Sequence, residues 1–162
     1  MNKVILYFVF MLFTLTCCEK ISNQSLPPIT TEGKGTFGYK ANGEIQGQCY
    51  SGWSSSLANV YLVADTSFVL HEYCNDNLLV ISLYSHSEIM EGMYSLSGEL
   101  DNMKYGDPNL ISYRSNAGGN AELILLKVDK ISKIISGTFS GTLYSDEGDL
   151  VEITEGRFDL TY

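Results

Sequence analysis

The sequence predicts an all-β domain, an antiparallel β-sandwich or small β-barrel with short helical turns only. Three observations carry this. Apolar and polar residues alternate with a period of two through most of the chain after residue 35. Clusters of Gly, Asn, Asp and Pro recur between the alternating runs, as turns do between short strands. No stretch of that region shows the three-and-four spacing of a long amphipathic helix.

The elements follow in order. "TFGYKA" at 36–41 runs into Asn42-Gly43, which is two-residue hairpin chemistry, although such a loop sets apolar Ala41 opposite Glu44. Further strands are expected at 67–73, 78–84, 92–98, 110–115 and 121–128. The runs 78–83 and 123–128 are apolar in both phases, so they are expected to be central and covered on both faces. "NDN" at 75–77 and "NAGGN" at 116–120 are turns. "DNMKYGDPN" at 101–109 reads as a loop long enough to carry a binding site, with Asp101, Asp107 and Asn109 as its polar groups. Short helical turns are expected at 54–58 and at 85–91, where Ser85 and Glu88 have capping-box spacing. In "IISGTFSGTLYS", Ile135, Gly137, Phe139, Gly141 and Leu143 share one face of a strand. "SDEGD" then turns the chain. In the return strand Val151 and Ile153 keep one phase while Phe158, Leu160 and Tyr162 take the other, and a β-bulge near Gly156 reconciles them.

The N-terminus has a different character. Lys3 precedes an uninterrupted apolar block at 4–16, which is signal-peptide anatomy and too short for a spanning helix of about 20 residues. The block ends in Leu15-Thr16-Cys17-Cys18, a spacing that resembles the bacterial lipobox. The resemblance implies cleavage before Cys18 and a lipid on its thiol, with Cys17 lost in the leader; choosing Cys17 instead puts Thr14 at the leucine position. The chain then divides into a signal peptide at 1–17, a lipid anchor and flexible tether at 18–35, and a β domain at 36–162 of ordinary single-domain length. The tether assignment rests on its polar residues and the Pro27-Pro28 pair. Several acyl chains at about 0.8 kcal/mol per buried CH₂ hold such a protein to a membrane. The expected location is the bacterial cell envelope, lipid-anchored at the outer membrane. Glu19 alone follows the lipid cysteine as an acidic residue, so the periplasmic and exposed faces both stay open.

"GTFGYKANGEI" at 35–45 and "ISGTFSGTLYSDEGDLVEITEGRFDLTY" at 135–162 resemble an uncharacterised family of lipoproteins from Bacteroidota, which pair an N-terminal NG turn with C-terminal SGTF and GRFD. The likeness covers the two ends of the domain and the middle loosely. It implies a β-rich, secreted, lipid-anchored domain and brings no catalytic residue with it. Here the NG turn continues as "EIQGQ", where the family often has an aromatic and a proline.

The formal charge is −9, and losing Lys3 with the leader makes the mature chain one unit more negative. That argues against nucleic acid as a partner. No nucleophile elbow, phosphate loop, zinc-protease helix or EF-hand loop occurs, so no catalytic residue and no cofactor is expected. His71 and His86 with Cys49 and Cys74 lack paired ligand spacing, and no metal is expected there. Asp146, Glu147, Asp149 and Glu152 read as a solvated hairpin end rather than a calcium loop. Cys49 and Cys74, left in the mature domain, form a candidate disulfide in an oxidising envelope, while both also suit a buried core. Tyr50 and Trp53 in "QCYSGW" are a candidate platform for a sugar ring or another apolar ligand, with core filling as the competing role. The function expected is non-catalytic: binding of a protein or glycan, or a structural role. A small-molecule carrier with a lipocalin-like cavity is the alternative, and an enzyme the last choice.

The lipobox reading has a direct test. Cys18→Ala should leave an unlipidated precursor or soluble product by mass spectrometry; a lipid on Cys17, or none on the native chain, contradicts it.

Overall fold

The computed structural model describes residues 25–47, 58–74 and 76–162, with the backbone alone at Cys74. Residues 1–17, Cys18, Cys49, Tyr50, Trp53 and positions 54–57 of the expected turn at 54–58 lie outside the described residues, as does the side chain of Cys74. The strands are β1 (Thr36–Ala41), β2 (Glu44–Gln46), β3 (Asn59–Val63), β4 (Ser67–Cys74), β5 (Asn77–Tyr84), β6 (Gly92–Ser95), β7 (Asn102–Gly106), β8 (Ser112–Arg114), β9 (Asn120–Asp129), β10 (Ile134–Tyr144) and β11 (Leu150–Thr161). They form one antiparallel sheet, curled into a half-barrel, in the order β2-β1-β11-β10-β8-β7-β5-β4-β3, with β9 beside β10 and β6 beside β9. Alternation puts Phe37, Tyr39, Phe68, Phe139 and Phe158 inside the curl. The rings of Phe68 on β4 and Phe158 on β11 lie 5.9 Å apart, so the two arms of the sheet meet across the core.

The β10–β11 hairpin sets the register of its neighbours. Phe139 stands opposite Gly156, after which the step from Phe139 to Gly141 faces the longer step from Gly156 to Ile153. β1 shows the same mismatch between Gly38 and Lys40. Glu155 is the residue common to both shifts, and it sits at a φ of 52°. The expected bulge near Gly156 is therefore present, and it returns Val151, Ile153, Phe158 and Leu160 to one buried face. A Cβ on Gly156 would lie 2.3 Å from the Phe139 ring, so no other residue lets that ring lie on the strand. Glu155 itself faces out, where a hydrogen bond from the Lys40 ammonium holds its carboxyl below the ordinary range.

The Asn42-Gly43 hairpin forms as its residues predict, with φ values of 49° and 83°. Ala41 does oppose Glu44, and the mixture is tolerated because β2 is a short edge strand: Ala41 is buried while Glu44 reaches solvent at the rim.

Four expectations need correction. No helical turn forms at 85–91; the Ile89 amide bonds the Asp65 carbonyl at 2.7 Å and its side chain enters the core, which pulls the segment straight. β3 was not expected, and "NMKYG", read as loop, is β7, whose Met103 and Tyr105 point inward. The outer faces of β5 and β9 are not covered throughout: Leu78 is 40% and Leu126 41% exposed. Finally, the last part of the expected tether is bound to the sheet. The buried Asp159 carboxylate accepts bonds from the Thr30 hydroxyl at 2.6 Å and the amides of Glu32, Gly33 and Lys34 at 3.0, 2.7 and 3.2 Å. Arg157 and Lys127 donate to the carbonyls of Pro27 and Thr31, both at 3.2 Å. Burial opposes the charge on Asp159, yet these donors hold its carboxyl below the usual value.

Two opposite substitutions check the hairpin. Phe158→Ala should cost about 3–5 kcal/mol by leaving a void, and Gly156→Ala about 1–3 kcal/mol or more by overpacking against Phe139. Thermal or urea unfolding close to that of the native chain for either variant contradicts the face assignment.

Candidate ligand-binding site

Two places on the half-barrel hold polar groups that the core does not need. The first is inside. The phase that buries Phe68 and Leu70 on β4 carries Glu72 inward as well, where it is fully buried. Pairing continues its row through Leu79 on β5 and Tyr105 on β7 to Tyr113 on β8. Neither Glu72 carboxylate oxygen nor the Tyr39 hydroxyl has a hydrogen-bond partner among the described residues. Burial accordingly pushes Glu72 from an ordinary 4.5 up to about 7. Burial, and then the charge of Glu72, raise the Tyr39 phenol well above its usual range. Tyr105 donates to Asn77 Oδ1 at 2.7 Å, and Asn77 Nδ2 donates to Gln46 Oε1 at 3.2 Å. Tyr105 is raised to about 12, first by burial and then by Asp107, Tyr113, Glu72 and Glu44.

A cavity of about 320 Å³ opens at this end of the sheet, lined by Glu44, Gln46, Tyr105, Asp107 and Tyr113. Glu72 lies outside that lining. It is a proton-holding group walled off from solvent.

The second place is outside, on the face that the two-sided apolar pattern of β5 had suggested was covered. Here lies a groove of about 560 Å³. Cross-strand pairing lays out its floor: one row runs Leu78–Gly106–Ser112, and beside it Val80 pairs with Lys104. Gly106 leaves the floor open, since an added Cβ would meet only Leu78 Cβ at 3.8 Å. One wall is Tyr73, 57% exposed. The other is the loop from Asp107 through Ile111, of which Asp107, Pro108, Leu110 and Ile111 line the groove. The Asp107 carboxylate caps this loop, accepting from the amides of Asn109 and Ile111, each at 2.9 Å. That cap holds Leu110 at a φ of 65° with its side chain 93% exposed. A bulky side chain in the left-handed region costs on the order of 1–2 kcal/mol.

Of the stretch "DNMKYGDPN" expected to be a loop, only residues 107–109 belong to this wall, with Asp107 and Asn109 as its frame. Asp101 is elsewhere, accepting from the Tyr84 amide at 2.6 Å. His71 stacks on Tyr61 at 5.7 Å on the outer face, and His86 meets Tyr84 edge-on. Among the described residues no three metal-ligating side chains group together. Asp146 pairs with Arg114, and the turn it belongs to is solvated. Sequence reasoning missed Glu72, although its phase with Phe68 and Leu70 marked it, and missed the groove, which no local pattern marks. No protein family, curated protein or solved structure matches the chain.

Glu72 makes stability depend on pH in a particular window. Its folded pKa is raised, so the folded state holds the proton more tightly; the stability this brings is complete below about pH 4.5 and is lost as pH rises through about 7, by about 3 kcal/mol. Glu72→Gln should flatten thermal stability over that window and leave the acid limb, where Asp159 loses its charge, unchanged. Parallel curves for the native chain and the variant contradict this.

Proposed function

We propose that the chain is a lipid-anchored domain of the bacterial cell envelope whose role is to bind a ligand in the outer groove of β4, β5 and β7, rather than to carry out a reaction. The observation that carries this is Leu110, a bulky apolar side chain held in solvent at positive φ beside an apolar floor. Backbone strain of that kind persists where the surrounding bonds impose it, here the Asp107 cap, and it marks contact surfaces. The volume lies within the range of ligand sites, about 300–1,000 Å³. A carrier holding its cargo inside the barrel is disfavoured, because the rings of Phe37, Tyr39, Phe68, Phe139 and Phe158 fill the interior. The envelope location rests on the apolar leader and the Leu15-to-Cys18 spacing.

The test is a comparison of the full chain with two groove variants on a glycan array and against envelope extracts. Gly106→Val fills the floor where space exists, and Leu110→Gly relieves the strain and removes a wall. Ligand captured by the native chain should be lost from both. Equal capture by all three overturns the assignment of the groove.

A further inference from the structure

We propose that the occupant of this groove is a small amphiphile, an apolar body with a single anionic group, seated with its anion on the Lys104 ammonium. The inference rests on the reading of the groove as a ligand site and names the chemistry that fits it.

Charge decides the headgroup. Lys104 and Arg114 stand directly opposite each other on β7 and β8. Like charges so placed repel unless something neutralises them. Asp146 pairs with Arg114 through Nη2, but Arg114 Nε is buried without a partner among the described residues. Lys104 has no carboxylate within ion-pair reach among the described residues. The carboxylates of the groove are already engaged: Asp107 holds its own loop, and Asp76 accepts from the Tyr73 hydroxyl at 3.0 Å. Both accept from uncharged donors only, so Lys104, the cation that lines the groove, is left without an ion-pair partner there among the described residues, with the Ser112 hydroxyl as the other polar group of the floor. A second trough, of about 530 Å³ beside Ile131, shows the contrast: its Lys130 already meets both Asp65 and Glu88.

The body of the ligand follows from the floor. Leu78 and Val80 present aliphatic surface, Gly106 leaves room above it, and Leu110 overhangs from the loop. Apolar surface from Leu78, Val80 and Leu110 beside the Lys104 ammonium suits a chain or ring ending in a carboxylate. A sugar, with hydroxyls on every side, would leave most of them facing apolar groups.

The experiment is photo-crosslinking of the full chain in its membrane with a decanoate that carries a diazirine on its chain, read by peptide mass spectrometry. Labelling should map to β5, β7 or the 107–111 loop and be displaced by decanoate. Decanol should compete weakly and decyltrimethylammonium not at all. Lys104→Gln, which keeps an uncharged polar side chain, should weaken labelling about tenfold or more, and Gly106→Val should abolish it. Labelling elsewhere, labelling unchanged in Lys104→Gln, or equal competition by the cation overturns the proposal. No labelling at all overturns it too. If Gly106→Val still removes ligand capture in the array comparison, the groove stands and only the amphiphile is wrong; if it does not, the groove reading has failed with it.

Discussion

The ring of Phe139 lies on Gly156, and the packing of the half-barrel follows from that contact. Glycine is required because a Cβ would occupy the ring. With the ring seated, the next residue toward the turn, Glu155, is displaced into the left-handed region and becomes the extra residue of a bulge. The bulge acts on both sides of β11, shifting its pairing to β10 and to β1 at the same place. Without it, either Val151 and Ile153 or Phe158 and Leu160 would face water, since a one-residue slip exchanges the two faces of a strand. Phe139 is in turn held by Phe37, Tyr39 and Phe158, so rings from β1, β10 and β11 fix one another.

Two buried carboxylates show how differently one fold treats the same group. Asp159 has the Thr30 hydroxyl and three backbone amides pointing at it, and it stays charged at the expense of ordering residues 30–34. Glu72 has no donor among the described residues, and burial raises its pKa instead. The first case turns a polar stretch that looks like free linker into a strap on the domain. The second leaves a proton-binding group in the wall of a packed core. Neither outcome depends on residue type; each depends on which backbone amides the tertiary fold brings near.

The outer face of β5 carries the functional argument, and it is where local reading and structure part. An apolar run in both phases normally means a strand covered above and below. Here the inward set, Leu79, Ile81 and Leu83, is buried, whereas Leu78 and Val80 look out into a groove. The covering layer is replaced by a loop from β7 that reaches only one side, with Leu110 at its edge. The apolar excess of the strand thus becomes a surface, with Lys104 of β7 beside it.

What the sequence determined by itself were the features that depend on near neighbours along the chain. Period-two alternation marked β1, β4, β10 and β11, runs apolar in both phases marked β5 and β9, the two phases of the last strand required a bulge near Gly156, and Asn42-Gly43 specified its hairpin. These follow from local sterics and from which side a strand turns to water. What only the tertiary structure decided were meetings between distant segments: Asp159 with residues 30–34, Lys104 opposite Arg114, the aromatic contact of β4 with β11, and the groove between Tyr73 and Leu110. β7 escaped notice because its alternation is short and lies between turn residues, and Ile89 defeated a helical turn because core burial outweighs a capping signal. Such outcomes are set by the order in which strands pair around the curl, and no single strand carries that information.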